Sequence, residues 1–322
     1  MYCFHPVKLQ LSEESQAKRQ ACEYMPLEWR YATEIYVPCG KCEACLQKRK
    51  NEWIFRLTKE FESSLSAYFV TLTYDDDKLP KKSIIVDDAV EEIQCVSKRD
   101  CQLFLKRLRK LIEPFKIRYY LVSEYGPKTL RPHYHMLLFN FPRELSNKIN
   151  DYVERAWDNG FVTIDCVNPA RIAYVCSYCM DNSTLPSQFV RNFVLCSRRP
   201  GIGHTYIDND NIVRYHTDNS IGYVTALCNG QAYKAPMPRY YRSKLFDDEQ
   251  SNKISYQNAQ LHDAERIKLD NKQRKWLRKN KIGCTAVTIN TAYPGSPKEM
   301  AVQAQEEFAR KVRNKCKLKG DM

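Results

Sequence analysis

Apolar and polar positions along the chain change spacing from one stretch to the next. Residues 44–64 carry apolar side chains three, four or seven residues apart, which predicts an amphipathic helix. These apolar positions are Leu46, Trp53, Ile54, Leu57 and Phe61. Basic residues occupy positions 48–50 and 56. The helix therefore has one basic side, which either contacts phosphates or is simply solvated.

Further elements follow from the same criteria. β-Branched and aromatic residues predict a strand over 68–74. A helix is predicted over 97–113, because Ser97 can cap its start and Pro114 ends it. Another helix is predicted over 142–157, followed by a strand over 160–164. Residues 78–97 show no clear period, and we interpret them as an irregular insertion.

Two predicted strands, 117–124 and 133–139, are joined by a short loop containing glycine and proline. A connection this short implies an antiparallel hairpin. We therefore predict an α+β fold: an antiparallel sheet with helices packed on one side. The polar, helical pattern from residue 247 onward predicts a helical C-terminal extension.

The predicted hairpin carries candidate metal ligands. His133 and His135 lie two residues apart in an apolar run, so their side chains should project from the same face of a strand. Glu124 lies near the end of the partner strand and would complete a site of two histidines and one carboxylate. The alternative is a pair of ordinary histidines on a half-buried strand, because His-x-His alone is a weak pattern.

The composition narrows the function classes. The chain has 322 residues, 43% of them hydrophobic, which is enough for a sizeable core. Its formal net charge of +13 indicates a polyanionic partner, with nucleic acid as the default. No apolar run is long enough to span a membrane, and no apolar signal region is evident at the N-terminus. We expect a cytosolic protein without a membrane partner.

Three of the 14 cysteines form one tight cluster. Cys39, Cys42 and Cys45 have the two-residue gaps of metal ligands, and either Cys3 or His5 could supply a fourth ligand. A closed tetrahedral site of this kind predicts structural zinc. An iron–sulfur cluster or a tight turn with free thiols are the alternatives.

A second chemical feature is a predicted helix over about residues 168–180, which begins at Pro169. Tyr174 and Tyr178 are four residues apart on it and should share one face. They are either paired functional groups or two aromatic residues of the core.

The order of these motifs resembles the HUH-superfamily replication initiators, which are rolling-circle endonucleases. The resemblance is strongest to the Rep proteins of small single-stranded DNA phages, the Microviridae, in particular the gokushovirus branch. It covers about residues 37–205. The residues that carry it are the segments 39–45, 69–74, 123–126, 131–135 and 197–203 and the Tyr-x-x-x-Tyr pair.

The resemblance implies a role for each matching residue. Glu124, His133 and His135 match the metal-binding set, which would hold Mg²⁺ or Mn²⁺. Tyr174 and Tyr178 match paired nucleophiles that nick one DNA strand, remain attached through a 5′-phosphotyrosyl bond, and later rejoin the strand in rolling-circle replication.

The chain departs from the microvirus pattern at one point. Those relatives commonly carry lysine three residues after each tyrosine, where this chain has Ser177 and Asp181. Another basic residue, such as Arg198, would have to substitute. Arg131, Arg198 and Arg199 are the predicted contacts to DNA phosphates.

The resemblance also implies partners. Single-stranded or origin DNA would be the substrate, in the cytoplasm of a host bacterium. No phosphate-binding loop of a helicase is found in the sequence, so a host helicase would unwind the DNA for a host polymerase. The alternatives are a zinc-stabilised nucleic-acid-binding protein without catalysis, or a relaxase or transposase of the same superfamily.

We predict three domains from these patterns. Residues 1–66 would contain the cysteine cluster and the basic helix. Residues 67–246 would form the HUH endonuclease domain, and 247–322 the basic helical extension.

Overall fold

The computed structural model describes two compact units. The described residues are 3, 6–22, 25, 27–86, 89–126, 129–177, 189–228 and 231–279. The first unit, called the cysteine unit here, contains those within 1–47, 216–222 and 242–322. The second, called the sheet unit, contains those within 48–215 and 223–241. The three-domain division stays a prediction.

The helices and strands of the described residues alternate along the chain. In order they are β1 (Val7–Gln10), α1 (Glu13–Gln20), α2 (Leu27–Arg30), β2 (Glu34–Val37), α3 (Glu43–Ser63), β3 (Ala67–Thr73), β4 (Lys81–Val86), β5 (Ala89–Gln94), α4 (Lys98–Leu111), β6 (Arg118–Tyr125), β7 (Pro132–Phe139), α5 (Ile149–Ala156), β8 (Val162–Cys166), α6 (Pro169–Ser177), β9 (Val194–Cys196), α7 (Asp210–Thr217), β10 (Tyr223–Cys228), β11 (Gln231–Pro236), α8 (Arg239–Leu245) and α9 (Asp248–Lys279). Within this described part, no helix is both long and apolar enough to cross a membrane.

A five-stranded antiparallel sheet in the order β8-β3-β7-β6-β9 forms the centre of the sheet unit. The predicted hairpin is confirmed as β6 and β7, which pair with Glu124 opposite His133. On its other side β7 pairs with β3, where Thr71 lies opposite His135. Both neighbours of β7 are thus in a defined register.

One face of the sheet packs against α4 and α5. Its buried side chains come from alternate strand positions, including Val70, Tyr134, Met136 and Leu138. Phe104 and Leu108 of α4 and Val153 of α5 complete this layer. Ser97 caps α4 as predicted, because its hydroxyl accepts a hydrogen bond from the amide of Asp100.

The opposite face packs against α3 and α6. The strand residues Phe69, Tyr120, Leu137 and Phe139 meet Leu57 of α3 and Ile172 of α6 in a second buried cluster. The predicted α+β class is therefore confirmed, but helices cover both faces of the sheet rather than one. The reason is that β7 carries large apolar residues at consecutive positions, so both of its faces must be buried.

The interpretation of residues 78–97 as an irregular insertion is wrong. β4 and β5 form an antiparallel hairpin there, with Lys82 opposite Ile93. Strand alternation is hard to detect in this segment, because lysine and glutamate occupy positions on both strands. The predicted C-terminal helix is confirmed as α9, whereas residues 280–322 lie outside the described residues.

A buried ion pair connects α3 to the edge of the sheet. Glu60 is only 3% exposed and forms a two-pronged ion pair with Arg118 of β6. The same carboxylate accepts a hydrogen bond of 2.7 Å from the amide of Gly203. The backbone of Gly203 is left-handed (φ +74°), and a Cβ there would lie 2.5 Å from the carbonyl oxygen of Arg56. Only glycine fits this position.

We predict that Arg118→Met lowers the free energy of unfolding by about 3 kcal/mol, because it leaves the Glu60 carboxylate buried without its cation. Glu62→Gln is the matched control: it breaks the exposed Lys59–Glu62 pair on the same helix and should cost less than about 1 kcal/mol. Denaturant unfolding of both variants measures the difference. Equal losses would contradict the structural role given to Glu60.

Candidate active site

The three predicted metal ligands meet on one face of β6 and β7. His133 and His135 share that face because they are two residues apart, and the register places Glu124 directly opposite His133. One ligand atom from each side chain lies within 4.8 Å of the other two. His135 is buried, and the other two residues are partly buried.

The hydrogen bonds define how these groups face each other. Oε2 of Glu124 lies 3.0 Å from Nε2 of both histidines. Nδ1 of His133 lies 3.2 Å from the carbonyl oxygen of Arg131, and Nδ1 of His135 lies 3.1 Å from the hydroxyl of Thr71. Partners on the outer ring nitrogen are typical of histidines that bind metals through the inner one.

This arrangement calls for a positive charge between the inner atoms. The carbonyl of Arg131 can only accept, so Nδ1 of His133 must carry the proton in that hydrogen bond. In the neutral ring, Nε2 then presents a lone pair to the carboxylate of Glu124. Two acceptors 3.0 Å apart repel each other unless a proton or a metal cation lies between them.

The acid–base properties agree with this requirement. Burial alone would raise the pKa of Glu124, but hydrogen bonds from His133 and His135 lower it to about 2. Burial alone would lower the pKa of His133, but the hydrogen bond and charge of Glu124 raise it. A proton is therefore held at the position that a metal ion would occupy, and the two compete for the same atoms. Two imidazoles and one carboxylate fit a divalent cation and leave coordination positions open.

Tyr174 lies next to these ligands. Its helix α6 is fixed to the sheet by Ile172, Val175 and Cys176, which are buried, whereas Tyr174 is 42% exposed. The ring centroid of Tyr174 is 5.3 Å from that of His135. The phenol is therefore beside the metal-binding face and open to solvent. Tyr178, the second predicted nucleophile, lies outside the described residues.

Two cationic side chains approach the same helix, and the sequence analysis did not single out either of them. Nζ of Lys50, on α3, donates a 2.7 Å hydrogen bond to the hydroxyl of Ser177. The guanidinium of Arg171 lies 5.5 Å from the ring centroid of Phe69 and pairs with Asp165 at 3.1 Å. The only sequence signal for Lys50 was its place in a basic helix, because its partner Ser177 is 127 residues away.

Comparison with known proteins shows what this site belongs to. Residues 67–183 match the model of a family described as replication-associated protein ORF2. This region is a replication-associated domain of the ORF2 family. It contains the whole described site except Lys50, which precedes it in the chain.

Several phage proteins resemble the chain. It is 36% identical over 149 residues to replication-associated protein ORF2 of Spiroplasma virus 4, covering 42% of this chain and 44% of that protein. It is 26% identical over 309 residues to replication-associated protein VP4 of Bdellovibrio phage phiMH2K, covering 87% and 90%. Replication-associated protein ORF4 of Chlamydia phage 1 is 28% identical, with 44% and 37% covered. The chain thus aligns with less than half of the Spiroplasma and Chlamydia proteins.

Among solved structures, the N-terminal nuclease domain of minute virus of mice non-structural protein-1 is similar. The two chains are 11% identical, the similarity covers 51% of this chain and 82% of that one, and the TM-score is 0.19. A similarity this low carries no argument about the replication-associated domain.

The predicted DNA contacts of the replication-associated domain and the segment that follows it separate in space. Arg131 binds Asp76 and the carbonyl of Tyr74, so it ties the end of β3 to the start of β7. Arg198 and Arg199 are exposed and follow Ser197, whose amide binds the carbonyl of Tyr119. Glu124 is five residues further along β6, or about 17 Å at 3.3 Å per residue. Neither arginine therefore lies beside the metal ligands.

The predicted zinc ligands also converge. Cys3, Cys39, Cys42 and Cys45, all in the cysteine unit, place their sulfur atoms within 4.8 Å of one another. His5, the alternative fourth ligand, lies outside the described residues.

We predict that His135→Ala weakens Mn²⁺ binding at least about tenfold, because it removes one of three protein ligands. Calorimetric titration of the purified protein with MnCl₂ measures the affinity. His204→Ala is the matched control, because His204 pairs with Asp208 away from Glu124. Unchanged Mn²⁺ affinity in His135→Ala would argue against the site.

Proposed function

We propose that this chain initiates replication of a small phage genome by nicking one DNA strand at an origin and joining to it through Tyr174. The observation that carries the proposal is the position of a solvent-exposed phenol 5.3 Å, between ring centroids, from a ligand of the Glu124–His133–His135 cluster. Similarity to phage proteins named as replication-associated supports the biological setting.

Glu124, His133 and His135 would hold the divalent cation, Mg²⁺ or Mn²⁺. When bound, such a cation polarises the scissile phosphate and offsets its developing charge. The protein's part is to keep these three side chains in place. Thr71 and the carbonyl of Arg131 do so by hydrogen bonds to the outer ring nitrogens.

Tyr174 supplies the nucleophile. A tyrosine hydroxyl in water ionises only at about pH 10, so it needs activation near neutral pH. Its oxygen forms a bond to phosphorus while the bond from phosphorus to the 3′ oxygen breaks. The phenol releases its proton to solvent, and the 3′ oxygen takes one up. The products are a 5′-phosphotyrosyl bond and a free 3′-OH.

Lys50 and Arg171 supply positive charge beside the reacting phosphate. Lys50 binds the hydroxyl of Ser177, the position at which microvirus relatives commonly carry lysine. An ammonium group from α3 thereby reaches a place where the sequence of α6 lacks one. Arg171 precedes Tyr174 by three residues and lies on the same side of α6. Both groups stabilise the negative charge that increases in the transition state.

Rejoining is the reverse reaction. The phosphotyrosyl linkage keeps the energy of the phosphodiester bond, so a 3′-OH can attack it and release the tyrosine. Tyr178 would serve as a second nucleophile in alternating cleavage and joining.

The DNA must be single-stranded or extruded where it is cut, because the phenol has to approach phosphorus opposite the leaving oxygen. The net charge of +13 favours binding of its backbone. We propose that a host helicase and a host polymerase act with the chain in the cytoplasm of the host bacterium.

We predict that Tyr174→Phe lowers the yield of a covalent DNA adduct at least about tenfold, and that the double variant with Tyr178→Phe yields none. The substrate is single-stranded origin DNA labelled at its 3′ end, incubated with Mn²⁺ and run on a denaturing gel. The 3′ label should move with the protein, whereas a 5′ label should appear in a shortened free strand.

The exposed Tyr233 provides the control, because Tyr233→Phe should leave the adduct yield unchanged. An adduct that persists in the double variant would place the nucleophile elsewhere. Tight DNA binding by the wild-type protein with no adduct would favour the non-catalytic nucleic-acid-binding alternative. Cleavage only at plasmid transfer origins would favour a relaxase.

We predict that Lys50→Met slows single-turnover cleavage about 100-fold while DNA affinity changes little, because one charge is removed from the reacting phosphate rather than from the backbone path. Lys50→Arg should restore part of the rate. Lys48→Met removes an exposed charge from the same helix and is the control. Equal effects of Lys48→Met and Lys50→Met would mean that Lys50 contributes only general attraction.

A further inference from the structure

The cysteine unit contains a cluster of thiols that the proposed cleavage chemistry does not use. Cys3 precedes β1, Cys39 and Cys42 follow β2, and Cys45 lies in the first turn of α3. The pairing of β1 with β2 places Val7 opposite Val37 and so brings the segments with Cys3 and Cys39 together. Two distant parts of the chain thus deliver thiols to one point.

The spacing of the sulfur atoms fits a metal ion. Four thiolates placed tetrahedrally about 2.3 Å from zinc lie about 3.8 Å from one another. The sulfur atoms of Cys3 and Cys42 are 3.8 Å apart, and all four sulfur atoms lie within 4.8 Å. A disulfide requires about 2.05 Å, and the four cysteines are free thiols.

Backbone amides support the sulfur atoms in the way metal-bound thiolates require. The sulfur of Cys39 accepts hydrogen bonds from the amides of Lys41 at 3.4 Å and Cys42 at 3.3 Å. The sulfur of Cys3 accepts one of 3.2 Å from the amide of Cys39. Gly40 has φ +73°, and a Cβ there would meet nothing within 4 Å. Glycine is therefore favoured for its backbone angle, which turns the amides toward the sulfur.

The surrounding structure lacks another source of stability. β1 and β2 form a two-stranded sheet whose apolar side chains Val7, Leu9 and Tyr36 are about half exposed or more. Two strands without a buried face are only marginally stable in water. A metal ion bound by residues on both sides of this hairpin would stabilise it without a hydrophobic core.

We propose that Cys3, Cys39, Cys42 and Cys45 bind one structural zinc ion. Four protein ligands leave no open position, so the ion stabilises the fold and takes no part in cleavage. The site is independent of the Glu124–His133–His135 cluster in its residues and in its compact unit.

The test is metal analysis of the full-length protein carrying His133→Ala and His135→Ala, so that the candidate active site does not contribute zinc. We expect one zinc ion per chain. Adding Cys39→Ser and Cys42→Ser should remove it, whereas Cys166→Ser, an exposed cysteine outside the cluster, should not. Absence of zinc from the double-histidine variant, or iron in its place, would overturn the proposal.

A second measurement holds even if the cysteine variants fail to fold. The wild-type protein is alkylated with iodoacetamide before and after zinc is removed by a chelator, and the modified peptides are identified. Cys39 and Cys42 should react at least about tenfold faster after removal, whereas Cys166 should react equally in both states. Unchanged reactivity at Cys39 and Cys42 would overturn the proposal. DNA cleavage is not the readout, so the outcome does not depend on the proposed function.

Discussion

The register of β7 between β3 and β6 is the constraint on which the candidate site depends. A slip of one residue would turn His133 and His135 to the opposite face. The buried residues around them prevent such a slip, because Tyr134, Met136 and Leu138 fill the core on the α4 side of the sheet. The same apolar contacts that stabilise the sheet therefore aim both imidazoles at Glu124.

The two-sided burial of the sheet places the rest of the chemistry. α6 can approach the metal ligands only because Phe69 and Leu137 give its apolar side a surface to pack on. With Ile172, Val175 and Cys176 facing inward, the geometry of the helix leaves Tyr174 at its border with solvent. A nucleophile that must meet a large substrate is thus held by a helix that is otherwise buried.

Electrostatics in the site follow from partial burial. His135 is almost inaccessible to water, and a carboxylate between two imidazoles in that setting needs a positive charge. The low pKa of Glu124 and the raised pKa of His133 express that need in terms of protons. The cations of Lys50 and Arg171 lie on the helices of the same face, beside the phenol.

Local patterns in the sequence were enough to locate α3, α4, β6 and β7, and the two-residue period of a strand placed His133 and His135 together. These features depend on neighbours along the chain, so the residues themselves determine them. The polar hairpin of β4 and β5 lacked such a pattern and was missed.

Contacts between distant segments were decided only by the tertiary structure. The hydrogen bond from Lys50 to Ser177 joins positions 127 residues apart, and no local period encodes it. The distance of Arg198 from Glu124 follows from how β9 pairs with β6. The convergence of Cys3 with Cys39 likewise depends on the pairing of β1 with β2. Such contacts arise when separate elements bury their apolar faces against one another, and the spacing of residues within a single element carries no record of that packing.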